Sequence, residues 1–590
     1  MCGAASHAAL RTAGTSGPGP AGEPGRQSVR DVVARLRPPQ AAARRYRAQG
    51  WWREETFADD LRTVAAEEPD RTALVSRRHL DGSVVTLTFR ELGRAARRVS
   101  RGLRTLGVRP GQVVAYQLPD RWETVAFVLG CIEAGAVTVP VLDGESPAEL
   151  ERVLEATGAS VCAVGDAGAA RALARCGGRL PSLAHRIVLG ARDGDGRTDG
   201  PAAGGDGGAL DFHHALLSAT PGDREDPPTP LPPDAPALIA FTSGTTGRAK
   251  GVLHSGNTLY AAVTGARDCA SREPAGGVVA TTAPLSNLVG VRHAVLEPLV
   301  HRSTTVFLDS WDPAALVELA AQHRVDCLLT RPADLRRLLH HSPGRPAASL
   351  ETVVCTGSPL PADLVEAVER GWGVRVRNAW GMTETGGALS TAPDDPDGWA
   401  ARSVGRPWPS VEVRLREVGE AEPGTSQLAV RGPGVCLAVL DPARGQVTWC
   451  PDDTDGWFDT GDLVRDDGRG GLRLVGRRSE RVLSAAGFMV PVVDVENVLR
   501  EHPDIDDAVL VGCPDAAHGE VPRAVVVAQG RAPSLENVRD FLSGRQVPDW
   551  HQPLCLGTVP RLPRNGMGKV ARNRLREALS CPAGAHGTAH

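Results

Sequence analysis

Between Thr88 and Val141 helical and extended patterns alternate, and that alternation restricts the chain to a layered α/β architecture. Thr88 and Glu91 have the Ser/Thr-x-x-Glu spacing that caps a helix start. Leu92, Ala96, Val99, Leu103 and Leu106 follow at gaps of four and three, the spacing of one helix face. Gly107 supplies a stop, and 113–116 reads as a short buried strand. A second helix is expected over 123–134, ended by Gly135, and 137–141 reads as the next strand. Strands separated by helices pair in parallel, with helices covering the sheet faces.

At 590 residues the chain exceeds what one core supports, so two or more domains are expected. Residues 1–28, through Gly17-Pro18-Gly19-Pro20, lack the apolar content to hold a fold and read as a disordered tail. A large domain is expected over 29–476, with order setting in near Val29 and over 46–52. A short hinge over 477–480 leads to a small, mobile α+β domain over 481–580, and 581–590 reads as a second tail. The small domain shows strands at 508–511 and 524–528 and helices at 493–500 and 535–542. Residues 191–236 are rich in Gly, Asp and Pro and read as a long loop or insertion.

The formal net charge of -4 gives no electrostatic case for nucleic acid or anionic lipid as a partner. Twelve cysteines stand singly, none at Cys-x-x-Cys spacing, the pattern of small core hydrophobes in a reducing compartment. With no apolar run long enough to span a bilayer and no hydrophobic segment near the amino terminus, a cytoplasmic location is expected.

The most informative local chemistry is Leu238-Ile-Ala-Phe-Thr242-Ser243-Gly244-Thr245-Thr246-Gly247-Arg-Ala249-Lys250-Gly251. An apolar strand runs into a loop of hydroxylated residues and glycines closed by a lysine. Glycines let backbone N–H groups approach phosphate oxygens, hydroxyls add donors, and lysine adds a point charge. The loop is not that of the P-loop NTPases, which needs Gly-Lys-Ser/Thr, because Ala249 precedes the lysine. A surface turn of small residues is the bland alternative, and the apolar strand ahead of it argues against that.

This loop resembles the signature loop of the adenylate-forming superfamily, which includes acyl-CoA synthetases, aryl-acid AMP ligases, peptide-synthetase adenylation domains and firefly luciferase. Further blocks continue the resemblance in order. Asn378-Ala-Trp380-Gly381-Met-Thr383-Glu384-Thr385 is similar to the family's aromatic-Gly-x-Thr-Glu element. The resemblance implies Trp380, where Tyr is commoner, stacked on adenine, Thr383 at the α-phosphate, and Glu384 with Thr245 at Mg²⁺. Gly357-Ser358-Pro359-Leu360 is similar to the turn that lies against adenine. Thr460-Gly461-Asp462 is similar to the element whose aspartate accepts from the ribose hydroxyls, with Arg477 nearby. The family's hinge residue, usually Asp or Lys, falls on Ser479. Ala485-Ala-Gly487 resembles the loop lining the thiol tunnel, and Pro563-Arg564-Asn565-Gly566-Met567-Gly568-Lys569 resembles the terminal segment whose lysine bridges carboxylate and α-phosphate.

The resemblance implies a reaction in two halves: a carboxylic acid and ATP give acyl-AMP and pyrophosphate, then a thiol takes the acyl group. The expected cofactors are ATP, Mg²⁺ and CoA, or the phosphopantetheine of a carrier protein. The segments 491–496 and 51–56 look closest to small-acid acyl-CoA ligases and aryl-acid ligases. Asn287 departs from the His or aromatic that helps shape the acyl pocket and gate the tunnel. An acyl-CoA ligase leads. The alternative is a stand-alone adenylation enzyme that loads a carrier protein in natural-product assembly. The amino-acid version is disfavoured, since its pocket aspartate is absent after Pro284. A silent homologue serving as a binding protein is opposed by the presence of Lys250, Glu384, Asp462 and Lys569 together.

Overall fold

A computed structural model describes residues 32–33, 35–142, 145–176, 179–190, 208–218, 230–242, 250–270, 276–418, 424–442, 445–450, 455–478, 482, 490–515, 519–564 and 569–579. The tails expected over 1–28 and 581–590 lie outside these residues.

The capping box forms as the sequence dictates. Thr88 Oγ1 accepts from the Glu91 N–H at 3.2 Å, and the Glu91 carboxylate accepts from the Thr88 N–H at 2.9 Å. The helix Phe89–Thr105 starts there and ends just before Gly107, whose φ of +85° is left-handed. The helix Trp122–Glu133 packs against it, buried on almost every side. A Cβ on Gly130 would stand 2.5 Å from Val99 Cγ1, so the close approach of these helices requires glycine there.

The helix pair lies between two sheets, each nine-stranded among the described residues. In the first, Val137–Pro140, Val113–Gln117, Val161–Val164 and His185–Val188 pair in parallel. Its far side is an antiparallel run of Pro236–Thr242, Lys250–Ser255, Ala438–Asp441 and Gln446–Trp449. In the second, Thr304–Leu308, Val278–Thr281, Cys327–Thr330, Thr352–Thr356 and Arg375–Trp380 are parallel. Further helices cover the outer faces. Pro147–Thr157 and Ala167–Arg175 lie on the first sheet, and Pro313–Gln322, Pro332–His341 and Ala362–Trp372 on the second. Burial on both faces explains why these strands read as continuous apolar runs.

A four-stranded antiparallel sheet, Glu412–Glu417, Ser426–Arg431, Phe458–Asp466 and Leu472–Arg477, extends the large unit. The small C-terminal domain has its own three-stranded sheet, in which the long hairpin of Ile505–Asp515 and Gly519–Ala528 is joined in parallel by Cys555–Thr558. The helices Val492–Arg500 and Leu535–Gly544 cover one face, and Arg572–Leu579 packs on the other.

One expectation needs correction. Residues 191–236 are not an unbroken loop: Leu210–Asp211 adds an edge strand to the first sheet, and a π-helical turn, His213–Leu217, follows. Phe212 and Leu216 are both 0 % exposed, so this short stretch is part of the core. Cys131, Cys162, Cys176, Cys327, Cys355, Cys436, Cys450 and Cys513 are buried free thiols and Cys555 is a half-buried one, as their scattered placement suggested.

Candidate active site

Parallel strands end together, and in open α/β sheets the loops beyond their carboxyl ends form the ligand crevice. Here the loops after Val278–Thr281, Thr352–Thr356 and Arg375–Trp380 emerge on one side of the second sheet. Thr242 and Lys250 are the last registered pair of an antiparallel hairpin, so they hold the two ends of the glycine-threonine loop side by side. Ser243, Gly244, Thr245, Thr246 and Gly247 lie outside the described residues, as do Gly487 of the tunnel loop and the hinge residue Ser479.

The segment 381–387 carries Thr383 and Glu384, and its backbone is tied down at the carbonyls of Met382, Thr383, Glu384 and Gly386. Thr385 Oγ1 accepts from the Met382 N–H at 3.2 Å, closing a turn. The Glu384 carbonyl accepts from Cys436 N–H at 2.8 Å, and the Gly386 carbonyl from Arg292 Nη1 at 2.9 Å. The Thr383 carbonyl accepts from His254 Nε2 at 2.7 Å. A Cβ on Gly381 would sit 2.6 Å from Gly387 Cα, so the two limbs of the loop touch through glycine. His254 belongs to the strand that begins at Lys250, and it therefore fastens the phosphate hairpin to the Thr383–Glu384 loop. Burial pushes its pKa down to about 4, which keeps the imidazole neutral, and the Thr383 carbonyl, able only to accept, makes Nε2 the donor.

The sequence reading missed both His254 and Arg292. Each follows a short apolar run, Val252-Leu253 before His254 and Leu288-Val-Gly-Val291 before Arg292, a pattern that does not name a buried partner. Arg292 also pairs with Glu297 and lies over the Trp408 ring at 5.3 Å.

Asp462 is 2 % exposed, at the middle of the strand Phe458–Asp466. Trp380 Nε1 donates to its Oδ2 at 2.9 Å. Arg477, its cross-strand register partner, places Nε 2.8 Å from Oδ1 as an ion-pair contact. Among the described residues Oδ1 accepts no hydrogen bond, although it is buried. A buried carboxylate oxygen whose described polar contact is an ion pair still has lone pairs to accept from a ligand hydroxyl. Trp380 itself is 8 % exposed, so its edge is committed to Asp462 rather than standing open. Gly357 has φ +89°, which only glycine adopts easily, and with the exposed Ser358 it forms the turn expected beside the base.

The electrostatics gather cations from separate parts of the chain. Burial pushes the Glu384 carboxyl up, and the charges of Arg477, Lys250 and Lys569 pull it back. Burial likewise raises Asp462, opposed by Arg477, the Trp380 hydrogen bond and Lys569. Lys569 of the small domain thus shares one field with Lys250, at the start of the Lys250–Ser255 strand, and with Arg477, which ends the Leu472–Arg477 strand. Among the described residues no cluster of three or more His, Cys, Asp or Glu could cage a metal. A lone carboxylate such as Glu384 suits a cation held mainly by phosphate oxygens, as Mg²⁺ commonly is.

Asn287 caps the short helix Leu288–Gly290, its Oδ1 accepting from the Gly290 N–H at 2.9 Å. The loop ahead of it is pinned by Tyr116 Oη, which donates to the Leu285 carbonyl at 2.8 Å, and by Asp120, which accepts from Leu285 N–H. The capping role accounts for an Asn there in local terms.

Comparison with known proteins agrees with this geometry. Residues 61–438 match the model of the AMP-binding enzyme family, and residues 494–569 match that of its C-terminal domain. The chain belongs to the AMP-binding enzyme family. It is 31% identical to the 3-[(3aS,4S,7aS)-7a-methyl-1,5-dioxo-octahydro-1H-inden-4-yl]propanoyl:CoA ligase of Mycobacterium tuberculosis, covering 88% of this chain and 99% of that one. It is 30% identical to triostin synthetase I of Streptomyces triostinicus, over 91% of this chain and 97% of that one. Among solved structures, ATP-bound MatB from Rhodopseudomonas palustris superposes with a TM-score of 0.75 at 25% identity, covering 88% of this chain and 98% of MatB. No described helix is long and apolar enough to cross a membrane.

Proposed function

We propose that the chain is an AMP-forming acyl-CoA ligase acting in the cytoplasm. The observation that carries this reading is the buried Asp462 paired with Arg477, in a positive field of Arg477 and Lys569 that also acts, with Lys250, on the half-buried Glu384. A polyanionic nucleotide reacting with a carboxylate needs that density of positive charge, and positioning with charge neutralisation does most of the work in phosphorus chemistry.

In the first half-reaction a carboxylate oxygen of the acid attacks the α-phosphorus of ATP. The bond to the bridging oxygen breaks, and pyrophosphate leaves with the electron pair. Lys250 and the loop Thr242–Lys250 neutralise the departing phosphates, Thr383 meets the α-phosphate, and Lys569 spans carboxylate and α-phosphate. Asp462 holds the ribose, with Arg477 beside it, while Gly357, Ser358, Gly381 and the face of Trp380 frame the base. Glu384, with Thr245, would hold Mg²⁺, which supplies further neutralisation of the triphosphate. In the second half a thiol sulfur attacks the acyl carbonyl, the bond to AMP breaks, and the thiol proton passes to solvent. Gly487 and Asn287 flank the path of the thiol. A swing of the small domain about Ser479, between a large domain ending near 476 and a small one beginning near 481, separates the two halves.

Likeness to triostin synthetase I, a synthetase not named for a CoA thioester, supports a second reading, in which the thiol is the phosphopantetheine of a carrier protein. ATP–pyrophosphate exchange with a panel of aliphatic, alicyclic, aryl and amino acids tests the first half-reaction, and silence across the panel would refute it. Supplying CoA with the best acid, and looking for the thioester by mass, separates CoA from a carrier protein as acceptor.

A further inference from the structure

Trp380 touches the site through its edge, and that contact is specific. The indole N–H reaches Asp462 Oδ2 at 2.9 Å across 82 positions of sequence, with both partners buried. Resting on the reading that Asp462 binds ribose, we propose that Trp380 is a positioning residue, whose indole N–H fixes the Asp462 carboxylate so that Oδ1 is presented to the ribose 2′,3′-diol.

A carboxylate has two oxygens and about four lone-pair sites, and it turns freely about χ2 unless something holds it. Here Oδ2 is taken by the indole, while Oδ1 accepts no hydrogen bond among the described residues, although Arg477 Nε lies 2.8 Å away. The two oxygens are therefore unequal before any ligand arrives: Oδ2 is held by the indole and Oδ1 faces Arg477. Without the indole donor nothing on that side resists Arg477. A guanidinium fork takes both oxygens of a carboxylate when it can, in a bidentate pair. Oδ2 would swing to Arg477 beside Oδ1, and the orientation that presents Oδ1 to the diol would be lost. Phenylalanine keeps a ring for the base but offers no donor, and the hydroxyl of tyrosine lies at the far end of its ring, not at the indole N–H position. A role in stacking alone requires none of this geometry, because the ring face and the N–H edge are perpendicular.

The test replaces Trp380 by 3-benzothienylalanine, which keeps the bicyclic ring and exchanges N–H for sulfur, with Trp380→Phe as a second variant should the first fail to fold. Dissociation constants are measured calorimetrically on the full chain for ATP, 2′-deoxy-ATP and 3′-deoxy-ATP. The N–H replacement is expected to weaken ATP about 10-fold or more, the scale of one charge-assisted hydrogen bond, and to leave the deoxy analogues nearly unchanged, so that discrimination falls to within about 3-fold. Unaltered ATP affinity, or equal weakening of all three nucleotides with discrimination intact, would overturn the proposal. Asp462→Asn serves as the separate control. If it retains full discrimination between ATP and the deoxy analogues, the ribose role of Asp462 fails, and the proposal falls with its foundation rather than on its own terms.

Discussion

Two buried ionisable residues show how single side chains set conditions on the fold. Glu133 is 4 % exposed, and burial pushes its carboxyl up to about 7 against an ordinary 4.5, despite Arg97, Arg104 and Arg62 nearby. Its folded pKa is raised, so its stabilising contribution is complete below about 4.5 and is lost as pH rises to about 7. His254 runs the other way. Its folded pKa of about 4 lies below the ordinary 6.5, so its contribution is complete above about 6.5 and is lost as pH falls towards 4. Each window spans about 2.5 units, which caps either contribution at about 3 kcal/mol. Glu133→Gln is expected to gain stability over the parent chain on going from pH 5 to pH 8, read as the difference in urea midpoint at the two values. A constant offset between the two proteins at both pH values would show that Glu133 does not titrate in this window. The long-range partners in the site were not legible in the sequence. His254 meets Thr383, 129 positions away, and Trp380 meets Asp462, 82 away, and no local pattern encodes such a pairing.

At the scale of elements, what could be read locally was read well. The helices Phe89–Thr105 and Trp122–Glu133 begin and end within a residue of expectation, because a capping box and two left-handed glycines write their ends into adjacent residues. The edge strand Leu210–Asp211 and the turn after it were missed. Two strand residues in a Gly- and Asp-rich segment have no periodicity, and it is burial of Phe212 and Leu216 against distant helices that orders them. Glycines separate the two kinds of information. Gly107 has φ +85° with open space around its Cβ position, so Gly107→Ala meets backbone strain alone, about 1 kcal/mol. Gly130 sits in a helix where alanine is intrinsically preferred, yet its Cβ would lie 2.5 Å from Val99 Cγ1 and 2.9 Å from the Ala96 carbonyl oxygen. A backbone atom cannot step aside, so crowding outweighs propensity and Gly130→Ala is expected to cost about 2 kcal/mol. Urea denaturation of both variants checks the order, and a Gly130→Ala protein as stable as the parent would mean that the two helices can slide apart.

At the scale of the molecule the question is how two unequal parts make one site. The motifs, in their order, announced the chemistry before any contact was known, since each is a short run of glycine, hydroxyl or charge. What sequence could not supply was the distance between them. The described structure answers for one arrangement: Lys569 of the small domain acts on Glu384 and Asp462 of the large one, and Arg473 meets Asp494 at 2.5 Å. On the proposed function, this is the arrangement in which Lys569 would serve adenylate formation. A thiol attacking finished acyl-AMP develops charge at the acyl carbonyl, with the phosphate already esterified, and has no need of that lysine. Loss of one preorganised charge costs about 3 kcal/mol of barrier, about a hundredfold in rate. Lys569→Ala is therefore expected to lose about a hundredfold or more in ATP–pyrophosphate exchange, while thioester formation from supplied acyl-AMP stays within about threefold of the parent. Equal losses in both assays would place Lys569 in a single geometry common to the two steps, and the small domain would then have no reason to move between them.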